Sequence, residues 1–222
     1  MKCSIIIPAY NEKRLKDLVL EIISNHNIPL IVIDDGSEDN IDLEIPHLLR
    51  NNVNKGKGYT ILKGIKHSQK LGYSHSIVMD GDFQHAPEDI NLFLKEGDQH
   101  DIVLGYRKFE KPMPLHRILS NKITSFILSK ILKTKIIDSQ CGFRMYKNEK
   151  FYNLDFKEDG FQFESEIFFK LPKPLRIKQI PIKTIYNNDK SHINKTKDTF
   201  KFIFINIIYC YERTYSLYKL LF

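Results

Sequence analysis

Apolar residues change their period repeatedly along the first half of this chain. The run "CSIIIP" (3–8) is short, β-branched and closed by proline, so it reads as a buried strand. In "EKRLKDLVLEII" Leu15, Leu18, Val19, Ile22 and Ile23 recur at helical spacing. "PLIVIDDGS" is a second apolar strand ending in acids and glycine, and the glycine loop "NKGKG" leads into the helical "YTILKGIKHSQKL". "HSIVMDGD" and "DIVLGYR" read as further strands. Between them "PEDINLFLKEG" reads as a helix, with Pro87 in its first turn and Gly97 at its end. Strands that are apolar throughout, alternating with helices, predict a mostly parallel sheet flanked by helices, an α/β fold.

The second half is less regular. "PLHRILSNKITSFILSKILK" predicts a long basic amphipathic helix, with Leu115, Ile118, Leu119, Phe126 and Ile127 on one face beside Arg117, Lys122 and Lys130. "FRMYK" and "RIKQIPIKTIY" read as strands and "FQFESEIFFKL" as a short helix. The stretch 199–222 is apolar and aromatic at roughly helical period. No repeat or linker divides the chain. It reads as one domain over 1–198, followed by an amphipathic helix over 199–222 that either packs on that domain or lies on a membrane surface.

Polar residues gather where strands end. Pro8, Tyr10 and Glu12 follow the first strand, Asp34 and Asp35 close the second, Asp80 and Asp82 a later one, and Tyr106 and Arg107 the next. Ligands of open α/β sheets bind beyond the carboxyl ends of the strands, so these groups predict one site. Residues at i and i+2 of an extended chain point to one side, which places Asp80, Asp82 and Gln84 together. Two carboxylates and an amide oxygen are hard ligands that suit Mg²⁺ or Mn²⁺, with open positions for phosphate oxygens. The plainer reading of an isolated Asp-x-Asp is a turn or cap. Asp34 or Asp35 suits a base or ribose, and "DDGS" also fits simple turn chemistry. "NKGKG" lacks the spacing of a Walker loop, yet its helix N-terminus with Lys55 and Lys57 could attract a diphosphate.

Composition narrows the field. The 222 residues suffice for a sizeable domain, and 42% hydrophobic with 27% charged fits a globular protein. A net charge of +7 suggests an anionic partner, or simply a lysine-rich surface. Cys3, Cys141 and Cys210 are widely spaced, which argues against a zinc site or a disulfide framework. The opening apolar run is too short for a signal peptide, and no stretch reaches a membrane span. The expectation is a cytoplasmic protein, peripheral on the inner face of the cytoplasmic membrane if it contacts one.

The segments "SIIIPAYNE", "VIDDGSEDN", "NKGKGYTILKGI", "VMDGDFQHAPEDI", "LGYR", "DSQCGFRMYK" and "GFQFESEIF" follow one another as in family 2 glycosyltransferases. The chain most resembles the dolichyl- or polyprenyl-phosphate sugar transferases among them, from Ser4 to about Ile193. That resemblance implies the GT-A fold, and transfer of a sugar with inversion from a UDP- or GDP-linked donor. It implies a divalent cation, Mg or Mn, at Asp80, Asp82 and Gln84, and donor contacts from Pro8, Ala9, Tyr10, Glu12, Asp34, Asp35, Lys57 and Gly81. Arg107 would lie near the phosphates. Arg117, Ser120 and Asn121 would receive the acceptor phosphate. Many mannosyl members carry a basic residue after a Gly-Glu-Ser triplet near the last strand, where this chain has Ser191 and His192, and His192 could contact the acceptor phosphate in a pH-dependent way. A phosphate acceptor is already anionic and needs little help from a base. A hydroxyl of a cell-surface glycan would need one, with Glu164 or Glu166 as the choice. Other classes stay open. A sugar nucleotidyltransferase is disfavoured by the lack of a glycine- and arginine-rich loop after the first strand. A non-catalytic binder of anionic ligands or nucleic acid is disfavoured by acids at the predicted pocket, so no nucleic-acid partner is expected.

Overall fold

The computed structural model describes residues 1–39, 41–108, 113, 115–151, 154, 163–172 and 174–185. Seven strands among them form one sheet: β1 (Cys3–Ala9), β2 (Leu30–Asp34), β3 (His47–Arg50), β4 (His75–Val78), β5 (Ile102–Tyr106), β6 (Arg144–Lys147) and β7 (Ile177–Pro181). The order across the sheet is β3-β2-β1-β4-β6-β5-β7. Every pairing is parallel except those of β6, which runs antiparallel to both β4 and β5. The helices are α1 (Leu15–Asn25), α2 (Lys57–Lys70), α3 (Ile90–Glu96), α4 (Leu115–Leu132) and α5 (Phe163–Lys170).

The apolar strands are covered on both faces, as their sequence requires. All of β1 and β2 is buried. Ile5 and Ile7 enter a core shared with Leu18, Ile22 and Phe93, whereas Ile6 enters the opposite core with Ile61, Ile65 and Phe168. This is the two-residue period of a strand with a hydrophobic layer on each side. Gly64 lets α2 lie close to the sheet, since a Cβ there would sit 2.6 Å from Ile6 Cγ2 and 2.8 Å from Ile33 Cδ1. Pro87 opens a single 3₁₀ turn that runs into α3, as expected of proline at a helix start.

Three features depart from the sequence pattern. β3 has no strand signature, because it is a half-exposed edge with only two leucines. The α4 helix turns polar side chains inward: Asn121, Thr124 and Ser125 are buried, while Leu115, Leu119 and Phe126 are exposed. The inward groups are needed to satisfy Asp138 and Ser139 beneath them. The third departure is the chain after β4, described below. The stretch 199–222, Ser191 and His192 lie outside the described residues. No helix among those described is long and apolar enough to cross a membrane.

Candidate active site

From β1 the chain moves through β2 to β3 on one side, and β4 then pairs on the other side of β1. The crevice between the carboxyl ends of β1 and β4 is therefore the point where strand order reverses, the usual place for a ligand in such sheets. Pro8 and Ala9 end β1 there and are buried, and Tyr10 stands on the exposed lip. The loops after β1 and β2 are stitched together: Asn11 N–H donates to Ser37 Oγ (2.9 Å) and Glu38 N–H to Asn11 Oδ1 (2.9 Å). Gly81 after β4 comes close to β1, since a Cβ on it would lie 3.3 Å from Pro8 O and 3.4 Å from Glu12 Cγ.

Asp34 and Asp35 are both buried and both hold loops. Asp34 Oδ1 accepts from Ser37 N–H at 2.9 Å, and Arg50 lies 3.1 Å from its Oδ2. Asp35 accepts from Asn51 Nδ2 (2.7 Å), Lys55 N–H and Gly56 N–H (both 2.9 Å). Its carboxylate thus occupies the start of α2, where orphan N–H groups favour an anion. A diphosphate does not find those two donors free. A cleft of about 220 Å³ lies beside Asp34, lined also by Ile41, Leu48 and Arg50.

The stretch after β4 does not stay extended. Asp82 sits in a turn, its Oδ1 accepts Gln84 N–H at 3.0 Å, and Phe83 has φ 61°. The three polar side chains therefore do not line one side of a strand, and the turn gives the two aspartates different surroundings. Asp80 Oδ1 lies 2.7 Å from Lys57 Nζ, which also lies 3.0 Å from Glu164 Oε1. Gly142 backs the same carboxylate, because a Cβ there would meet Asp80 Oδ2 at 2.6 Å. Burial works against the Asp80 charge, but facing Lys57 outweighs it and holds the carboxyl well below its ordinary range. Burial and then the Asp80 charge push the Asp82 carboxyl up. Burial works against the Lys57 charge, and the Asp80 and Glu164 carboxylates outweigh it, raising that pKa. His85 is buried and driven down to about 4, chiefly by burial, so it is neutral and its Nδ1 accepts Asp80 N–H at 3.4 Å. Among the described residues no three His, Cys, Asp or Glu gather as a metal cluster. Asp80, Asp82 and the Gln84 amide are the hard oxygen donors here that could hold a cation.

The antiparallel β6 brings a second group of residues to this edge, since it starts where β4 and β5 end. Arg107, just past β5, grips buried Asp138 with Nε to Oδ2 at 2.7 Å and NH2 to Oδ1 at 3.0 Å. Asn121 Nδ2 donates to Asp138 Oδ1 at 2.6 Å, and Asn121 Oδ1 accepts from Ser125 Oγ at 2.9 Å. Asn121 therefore braces the arginine clamp through its Nδ2, while Ser125 anchors the other end of its amide. Ser120 is half-buried on the same helix. Arg117 belongs to α4, and only its backbone is among the described residues. Both acids of α5 are buried, and Glu166 pairs with Lys170 at 2.8 Å. Fully buried Arg144 donates to Cys141 O, Ser139 O and Glu164 O, each at 2.7 Å, fixing the 139–141 loop against the first turn of α5.

Asp138, Gly142 and Arg144 carry no site role in the sequence reading, although all three stand in "DSQCGFRMYK". The available signal was an acid and an arginine on either side of a glycine, with the arginine opening β6. Charges carried into a buried strand end must find partners, which are Arg107 for Asp138 and three backbone carbonyls for Arg144.

The family described as glycosyl transferase family 2 matches residues 4–155. A UDP-N-acetylglucosamine–dolichyl-phosphate N-acetylglucosaminyltransferase of Methanococcus voltae is 32% identical over 82% of this chain and 85% of its own length. A polyprenol monophosphomannose synthase of Mycolicibacterium smegmatis is 26% identical over 80% of this chain and 75% of its own. The fold is similar to a glucosyl-3-phosphoglycerate synthase from Mycobacterium tuberculosis solved with Mn²⁺, UDP and phosphoglyceric acid. The TM-score is 0.69 at 15% identity, over 94% of this chain and 78% of that one. The architecture is the GT-A fold, and with the family matching more than half its residues this chain belongs to glycosyl transferase family 2 and is a glycosyltransferase.

Proposed function

We propose that this enzyme moves a sugar from a nucleotide diphosphate sugar to a polyprenyl phosphate, by a single inverting displacement that depends on a divalent cation. The observation that carries the reading is the carboxylate pair Asp80 and Asp82 at the β1–β4 crevice, with the clamped Arg107 near it. The names of the M. voltae and M. smegmatis relatives support a lipid-phosphate acceptor. Mn²⁺ and UDP in the M. tuberculosis enzyme of similar fold support a cation and a nucleotide.

Two hard carboxylates that crowd one another fit a divalent cation, which relieves their repulsion. Bound by Asp80, Asp82 and Gln84, Mg²⁺ or Mn²⁺ would supply charge neutralisation to the diphosphate leaving group. The chain's own residues do the rest. The Asp34 and Asp35 loops shape the donor crevice, and the cleft by Ile41 and Leu48 suits a base. Arg107, stiffened by Asp138, holds phosphate oxygens. An oxygen of the acceptor phosphate forms the bond to the anomeric carbon. The bond from that carbon to the donor diphosphate breaks, and the nucleoside diphosphate leaves with the electron pair. No proton must be removed, so Glu164 and Glu166 are not needed as bases.

The acceptor's lipid requires work at a membrane face. α4 presents Leu115 (82% exposed), Leu119 (62%) and Phe126 (62%) outward. Beside them a groove of about 590 Å³ is lined by Lys122, Lys130, Lys133, Lys135, Phe126 and Ile136. Apolar side chains rimmed by lysines fit an anionic bilayer surface.

The test is incubation with Mn²⁺, UDP- and GDP-sugars and a short polyprenyl phosphate, with products read by mass spectrometry. A glycosyl-phosphate lipid, lost in Asp82→Asn, is expected. Nucleotide release with no lipid product, and with the sugar found on a glycan hydroxyl when a glycan is added, would move the acceptor to that class. If no donor turns over and Asp82→Asn behaves as wild type, the reading is overturned.

A further inference from the structure

Lys57 places a positive charge inside the site. It is the first residue of α2, whose start is fixed by the bonds from Lys55 N–H and Gly56 N–H to Asp35. Its stem therefore starts from a fixed point, and two carboxylates hold the ammonium at the far end. It bridges Asp80 Oδ1 (2.7 Å) and Glu164 Oε1 (3.0 Å), and its side chain is 19% exposed. Glu164 is anchored in turn, because its carbonyl oxygen accepts from Arg144. Gly142 closes the other side of Asp80. The Asp80 charge is therefore balanced within the protein by a cation held from both sides.

We propose that Lys57 is a positioning residue that competes with the divalent cation for Asp80, so that metal and nucleotide load together rather than one by one. This rests on the metal-dependent reading above. A fixed ammonium beside one ligand repels a second cation, and at an effective dielectric of about 20 a unit charge a few ångströms away shifts affinity on the order of tenfold or more. The donor diphosphate offsets that repulsion by adding its own negative oxygens. By linkage, the metal then strengthens nucleotide binding by the same factor.

The experiment measures Mn²⁺ affinity by calorimetry or electron paramagnetic resonance, first with Mn²⁺ alone and then with UDP or GDP. Wild type is expected to bind Mn²⁺ weakly alone and more tightly with nucleotide. Lys57→Met should tighten Mn²⁺ alone by about tenfold and shrink the gain from nucleotide. Lys57→Arg should restore wild-type behaviour. A purely structural lysine predicts the opposite sign, because losing it would loosen Asp80. Glu164→Gln keeps the lysine, concentrates it on Asp80 and should weaken Mn²⁺ alone, which gives a reading even if Lys57→Met does not fold. Weaker or unchanged binding in a folded Lys57→Met, or tighter binding in Glu164→Gln, overturns the proposal and leaves the transferase reading standing. Absence of Mn²⁺ binding in all proteins, with and without nucleotide, overturns the metal dependence and the Lys57 role together.

Discussion

Gly142 and the Asp80 carboxylate touch with nothing between them, so Gly142→Ala places a methyl group directly against the site. The new Cβ would lie 2.6 Å from Asp80 Oδ2, 2.8 Å from Oδ1 and 3.0 Å from Cγ. Gly142 is not among the residues with positive φ, so alanine suits its backbone and any effect arises from this contact. To restore an ordinary 3.4 Å contact, Asp80 must retreat by about 0.8 Å. Lys57 stands on its other side at 2.7 Å, so the retreat disturbs that ion pair. Overpacking of this kind costs about 1–3 kcal/mol, a melting shift of a few degrees up to about 10 °C for a chain of this length. The loss in turnover should be larger in proportion, on the order of 10²-fold for a displacement near 1 Å. The assay pairs donor turnover with thermal melting by circular dichroism. Near-wild-type turnover in a folded Gly142→Ala protein would show that Asp80 has room to move harmlessly, and would refute the reasoning.

Three further outcomes are expected. Asp138→Asn breaks a buried pair and should cost about 3–5 kcal/mol, seen as a melting temperature lower by roughly 10 °C. Burial works against the Asp138 charge, and Arg107 and then Asn121 outweigh it and hold the carboxyl below its ordinary 3.8. Its stabilisation is therefore complete above that pH and is lost as pH falls through the lower folded value, so the variant should lose less stability between pH 5 and pH 3 than wild type; equal losses would count against the clamp. Burial pushes the Cys3 and Cys141 thiols up to about 12, so alkylation at pH 8, followed by peptide mapping, should leave both unmodified in the folded protein and label them after denaturation. Leu119→Glu combined with Phe126→Glu should reduce co-sedimentation with anionic vesicles severalfold without lowering the melting temperature, because both side chains are already exposed; unchanged sedimentation would remove α4 from the membrane contact.

Some of this was legible because the signal is local. The β1, β2 and β5 strands show as largely apolar runs, and Ile77 and Val78 mark the end of β4, since a strand covered on both faces leaves no polar register. α1 shows through the spacing of Leu15, Leu18, Val19 and Ile22, all of which are buried. Other features left no such mark. The edge strand β3 has too little buried surface to impose a pattern. The apolar stripe of α4 reads equally as a core face or a membrane face, and only the partners beneath Asn121, Thr124 and Ser125 reveal that the polar side is buried.

Local sequence suffices for the class of fold, the strand ends that carry polar groups, and the acids Asp34, Asp35, Asp80 and Asp82 among them. Those properties follow from neighbours along the chain, where period and turn chemistry act. The tertiary fold sets which acids gather at the β1–β4 crevice and which hold loops. It set Asp35 on the start of α2, Arg107 on Asp138, and Lys57 between Asp80 and Glu164. These partners are far apart in sequence, and their charges interact only after the sheet order and the antiparallel β6 bring them within a few ångströms. Coulomb energy depends on that distance and on the burial around it, and neither is written in the order of the residues.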